Sequence, residues 1–125
     1  MAVKRDQKLT KDFRKAEFKC RCRRADCTAP GPDPDFLIKL QRLRDLWGKP
    51  LVITSGSRCK SWNAKVLGSP VSQHLLGKAV DIRLDSPEDG PKLQALAEKV
   101  GMGGIGLGSI FIHVDSGPSG RRWTY

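Results

Sequence analysis

Apolar positions recur along this chain with two periods. From Phe36 to Trp47 they fall three or four residues apart, so that Phe36, Leu37, Leu40, Leu43, Leu46 and Trp47 share one face of a helix. Asp33 is placed to cap that helix, Pro34 suits its first turn and Gly48 ends it. Leu93, Leu96, Ala97 and Val100 form a second helical stripe, which Gly101 closes. Ser86, Pro87 and Asp89 mark its start, with capping-box spacing from Ser86 to Asp89. The remaining apolar runs are short and read as strands over 51–54, 78–84 and 110–115, with a last short strand in the terminal RRWTY. The segment 61–66 reads as a short helix. The segment 67–77 reads as a loop holding Gly68, Pro70 and Gly77, and the stretch 101–109 is glycine-rich, with no strand expected in it. This order predicts an α+β fold: a small, mostly antiparallel sheet with helices packed on one side.

The N-terminal third is organised differently. Residues 1–19 are a basic lead-in with a short helix expected over 13–18. Residues 20–35 hold three cysteines, three prolines and a glycine, the composition of a loop-rich knot. A chain of 125 residues suits one domain, here 1–125, with one core. No apolar run approaches the roughly 18 residues of a transmembrane helix, so no membrane insertion is expected. The basic N-terminus is followed by no apolar stretch of the kind a secretory signal carries. Synthesis in the cytoplasm is therefore expected, and any work outside requires release by other means.

The formal net charge is +10. That favours polyanionic partners, either nucleic acid or the anionic bacterial wall, though a basic surface also serves solubility alone.

Only two histidines are present, His74 and His113, each beside a predicted strand and each with an aspartate nearby. Side chains alternate between the faces of a strand. Ile110, Ile112 and Val114 then share a core face, and Phe111, His113 and Asp115 the opposite one. In the preceding strand Val80 and Ile82 are the core pair, which turns Asp81 outward on the side of Ala79. Gly77 permits the turn that carries His74 back over Asp81. His74, Asp81 and His113 are thus expected to converge on the open face of the sheet. Two histidines and one carboxylate are a ligand set for catalytic zinc, because three protein donors leave a fourth position for water.

These motifs resemble a known family. S-x-H-x-x-G-x-A-x-D from Ser72 to Asp81, followed by H-x-D at His113 to Asp115, resembles the zinc D-Ala-D-Ala carboxypeptidase and murein endopeptidase family, which has the Hedgehog-type zinc peptidase fold. S-G-S-R-C-K-S-W-N over 55–63 resembles that family's S-G-Y-R-S-x-x-x-N stretch. The ending H-V-D-S-G-P-S-G-R-R-W resembles the branch with a terminal H-x-D-x-G and R-x-W, and the lead-in, with phenylalanine, glutamate and close cysteines, is similar to phage-borne and prophage-borne members. The resemblance implies that His74, Asp81 and His113 hold zinc. It implies that Arg58 contacts substrate and stabilises the oxyanion, that Ser72 supports the loop or the substrate, and that Asn63 holds the loop. Many members carry a glutamate general base three residues before the last histidine, where this chain has Ile110. Asp115 is the candidate base in its place, the alternative being a carboxylate that orients His113. The family's tyrosine before the arginine is Ser57 here. Trp62, Trp123, Arg121 and Arg122 are candidates to line a substrate groove, with plain core as the alternative for Trp123.

Cys20, Cys22, Cys27 and Cys59 fall in just two segments. They are expected to hold a second, structural zinc or to form two disulfides, and either would tie the N-terminal arm to the loop of Arg58. The expected activity is that of a monomeric zinc peptidase acting on peptidoglycan peptides, in a phage lysis or virion setting. Two alternatives stand beside it: a non-catalytic zinc-containing binding module of the same fold, like the Hedgehog signalling domain, and a basic nucleic-acid binder, which is the less favoured.

Overall fold

Helix α1, Pro34–Trp47, starts where the Asp33 carboxylate accepts the Phe36 amide at 3.0 Å and stops at Gly48, which is left-handed. The computed structural model that shows this describes residues 6–125, so the first five residues of the basic lead-in lie outside it. Phe36, Leu37, Leu40 and Leu43 are buried as the pattern predicts, but Leu46 is 45% exposed. At about 100° per residue Leu46 stands roughly 80° round the axis from Phe36, away from Leu37 and at the edge of the stripe. Helix α2 spans Lys60–Lys65. Helix α3, Asp89–Lys99, packs Leu93 and Ala97 into the core. It begins three residues later than Ser86, whose carbonyl accepts the Asp89 amide in a turn. No side chain caps the helix, so the expected capping box is absent.

The sheet has five strands: β1 Ile53–Ser55, β2 Ala79–Arg83, β3 Gly104–Leu107, β4 Phe111–Asp115 and β5 Arg121–Thr124. Their order is β1-β2-β4-β3-β5, antiparallel except for the parallel edge pair β3 and β5. The glycine-rich stretch 101–109, where the sequence predicts no strand, therefore supplies β3 from its middle four residues. In β3 Ile105 faces the core, while Gly104 and Gly106 turn their bare side to the opposite face. A side chain on Gly104 would collide with the Asp115 carboxylate, and one on Gly106 with the Trp123 indole.

Ile110 is a second correction. It is 72% exposed and precedes β4, at the turn where the Gly108 amide reaches back to the Phe111 carbonyl. The strand alternation that would have buried Ile110 starts only at Phe111.

The helices and the apolar face of the sheet enclose one cluster, with Phe36, Leu40, Val80, Ile82, Ile112 and Val114 all unexposed. The N-terminal arm joins it through Phe13 and Phe18, whose rings meet edge-on at 6.0 Å. The short helix expected there is a single 3-10 turn, Lys15–Phe18. Among the described residues no helix is long and apolar enough to cross a membrane.

Candidate metal centre

The register of β2 against β4 places Asp81 opposite His113 and Ala79 opposite Asp115. Their neighbours, Val80 paired with Val114 and Ile82 with Ile112, go into the core. Alternation thus commits Asp81, His113 and Asp115 to the outer face. His74 comes from a 3-10 turn, Gln73–Leu76, that Ser72 caps by accepting the His74 amide at 3.2 Å. Gly77 ends that turn at a φ of 70°, and a side chain there would strike the Gly31 carbonyl, so only glycine fits. The chain then enters β2 directly beneath His74.

His74 Nε2 lies 3.2 Å from Asp81 Oδ1, and His113 Nδ1 lies 3.0 Å from the same oxygen. The far nitrogen of each ring is also held. His74 Nδ1 donates to the Gly56 carbonyl at 2.6 Å, and His113 Nε2 donates to Asp115 Oδ2 at 2.7 Å. Those two bonds fix the tautomers. In each neutral ring the nitrogen facing Asp81 then carries a lone pair. Two lone pairs and a carboxylate oxygen face one another, with all three donor atoms within 4.8 Å. Such an arrangement suits a divalent cation, and the outer bonds to Gly56 and Asp115 are of the kind that orient ligand histidines.

The charges agree with this geometry. Without a metal, burial opposes ionisation of Asp81, but His113 and His74 rings protonated also on the nitrogens that face it donate to the carboxylate and hold the carboxyl well below its ordinary range. Burial likewise opposes the charged form of His113, yet its bonds to Asp115 and Asp81 raise its pKa. Asp115 is 1% exposed, and its desolvation is outweighed by His113 and Arg121, so its pKa is lowered. Its second oxygen takes the Gly117 amide at 2.9 Å and the Arg121 guanidinium.

Arg58 stands on the other side of Asp81. Its guanidinium donates to Asp81 Oδ2 at 3.3 Å, to Asn63 Oδ1 at 3.2 Å and to Ser55 Oγ at 3.1 Å. Asn63 is buried and passes its amide on to the Ser69 carbonyl at 2.8 Å, so it joins the Arg58 loop to the 67–77 loop. Ser57, in the position of the family's tyrosine, is buried with its hydroxyl unpaired among the described residues.

Arg58, His74, Asp81, His113 and Asp115 line a groove of about 530 Å³. Its floor is His74, Asp81 and His113. One lip is aliphatic, with Leu67 and Val71 exposed, and the other is aromatic. Trp123 stacks 5.2 Å from the His113 ring, and Tyr125 lies 4.7 Å from Phe111. Arg121 reaches the groove. Trp62 and Arg122 do not line it, and Arg122 pairs with Glu98 instead. Sequence reasoning missed Tyr125 and the two lip residues Leu67 and Val71. The spacing of Trp123 and Tyr125 on one strand face carried the signal for Tyr125; nothing in the local pattern marked Leu67.

A second cluster lies apart from the groove. One sulfur from each of Cys20, Cys22, Cys27 and Cys59 falls within 4.8 Å of the others, and all four cysteines are unbridged.

A comparison with individual curated proteins returns no match. The family model described as Peptidase M15 matches residues 11–115, a span that takes in every groove-floor residue and all four cysteines. The chain belongs to the Peptidase M15 family of zinc peptidases.

Proposed function

We propose that this protein is a zinc-dependent hydrolase of bacterial peptidoglycan peptides, of the D,D-carboxypeptidase or endopeptidase type. The observation that carries the reading is the convergence of His74 Nε2, His113 Nδ1 and Asp81 Oδ1, each fixed from behind, on the floor of a groove. His74, Asp81 and His113 would hold the zinc ion. When bound, it supplies Lewis-acid polarisation of the scissile carbonyl and a water of lowered pKa.

The chain's own groups do the rest. Arg58 has its guanidinium fixed by three side-chain partners, so it meets a carbonyl oxygen or a terminal carboxylate without reorganising. Asp115 borders the groove but is 1% exposed, with both oxygens engaged by His113, Gly117 and Arg121, which favours its orienting role over that of proton acceptor. Trp123 forms the aromatic wall beside His113, and Ser72 holds the His74 turn. The groove suits a peptide with small apolar side chains lying between the aliphatic and aromatic lips. The +10 charge favours retention on the anionic wall, and a phage lysis enzyme or virion component is the setting this combination fits best.

The zinc-loaded protein is expected to release soluble peptides from purified walls. His113→Ala should bring that release to background, and mass spectrometry of the fragments identifies the bond cut. A folded, zinc-containing protein inert on every wall type would sink the proposal in favour of a binding module.

A further inference from the structure

The peptidase reading makes no use of the four cysteines. We propose that Cys20, Cys22, Cys27 and Cys59 form a second zinc site, closed by four thiolates, that fastens the N-terminal arm to the loop carrying Arg58.

Three observations support it. The first is geometry. Zinc–thiolate bonds of about 2.3 Å put the corners of a tetrahedron about 3.8 Å apart. The Cys20 and Cys59 sulfurs are 3.8 Å apart, and all four lie within 4.8 Å of one another. A pair of disulfides asks only that sulfurs approach two by two, at about 2.05 Å, and does not gather four at one point.

The second is the backbone. The Cys59 amide points at the Cys20 sulfur at 3.4 Å, and the Arg24 amide at the Cys22 sulfur at 3.5 Å. Amide donors stabilise sulfur in its charged, ligating form. Arg23 adopts a φ of 60°, left-handed for a residue with a side chain, in the turn that presents the second of these amides. Such a conformation costs on the order of 1–3 kcal/mol and persists where surrounding bonds hold it.

The third is charge and place. Four thiolates and one divalent ion leave a double negative charge, and Arg21, Arg23, Arg24 and Lys60 all neighbour the cysteines in sequence. Cys20 and Cys59 are buried, and Cys27 is exposed, so the cluster lies at the surface with its inner half dry. Soft thiolates in this number select zinc over hard cations.

The arm otherwise meets the Arg58 loop through main-chain contacts, the Ser57 amide reaching the Phe18 carbonyl at 2.9 Å, with Gly56 packed against the Phe18 backbone. Cys59 directly follows Arg58 and caps α2, so a metal there holds one end of the arginine's own loop.

The test is metal counting on the full chain purified under reducing conditions without chelator. Two zinc ions per chain are expected. Cys22→Ser with Cys27→Ser, which spares the two buried cysteines, should leave one. His74→Ala with His113→Ala should also leave one, with the thiols still protected from iodoacetamide. Cobalt-loaded wild type and the histidine variant should both show thiolate-to-cobalt charge-transfer absorption, and the cysteine variant none. One zinc per wild-type chain with four alkylatable thiols would overturn the site, as would a mass deficit that dithiothreitol removes. Neither readout depends on wall hydrolysis, so failure of the peptidase reading would leave the counts unchanged.

Discussion

The groove floor and the cysteine cluster are both places where donor atoms converge, and they are assembled by opposite means. His74, Asp81 and His113 come mainly from two adjacent strands, and sheet register sets their spacing. The four cysteines come from an irregular arm and a loop with little regular structure around them. The first cluster has three donors and opens into a groove; the second has four and is half buried at the surface. Donor number separates the roles. Three ligands leave a coordination position for chemistry, whereas four close the ion off and turn its binding energy into folding energy. The strand-built site can stand without metal because the core beneath it holds its shape. The arm-built site has no strands beneath it, and Phe13 and Phe18 carry the arm into the core.

The largest effects should split along that line. Asp81→Asn keeps the volume of the side chain but removes a charged ligand. Turnover should fall at least about 10³-fold, equivalent to several kcal/mol of lost transition-state stabilisation, while the thermal midpoint falls less than in the cysteine variant that follows. Cys20→Ser should do the reverse to stability, lowering it by several kcal/mol because the arm loses its anchor. Parallel melting curves and wall-hydrolysis rates read both. A Cys20 variant that melts with wild type would erase the contrast.

A smaller effect sharpens the strand-built half. Asp115→Asn should reduce zinc affinity or turnover by about 10–100-fold, the range for a group behind a ligand histidine. If Asp115 acts only through His113, zinc affinity falls and the pH profile of the loaded enzyme keeps its shape. Loss of the acidic limb of kcat with unchanged affinity would make it the proton acceptor after all.

The smallest effect is a pH dependence that differs between loaded and stripped protein. Without metal, the His113 pKa is raised above its ordinary 6.5. Its contribution to stability is then complete below about 6.5 and is lost as pH rises through the folded value. Asp81 is lowered from 3.8, so its contribution is lost only in strong acid and leaves this window untouched. With zinc bound, protons compete for the same nitrogens, and stability falls as pH falls. In the Cys22→Ser, Cys27→Ser variant, where only the groove metal is left to strip, the difference in melting midpoint with and without chelator should therefore widen as pH rises from mild acid to mild alkali. A constant difference would mean that the ring nitrogens are not the ligands.

The amino-acid sequence by itself determined the periodic elements and the ligand set. The stripe in α1, the alternation in β2 and β4, and Gly77 after His74 are local facts, and each directs its side chains with no knowledge of the partner strand. Tertiary structure decided what locality could not carry. Gly104–Leu107 does not read as a strand because glycines fill alternate positions, and only the bulk of Asp115 and Trp123 over that face explains why a strand there must be bare. Ile110 reads as core until the hairpin turn exposes it. The role of Asp115 depended on three partners, His113, Gly117 and Arg121, that alternation alone could not bring together. Periodicity encodes which way a side chain points; what it meets depends on how distant segments pack.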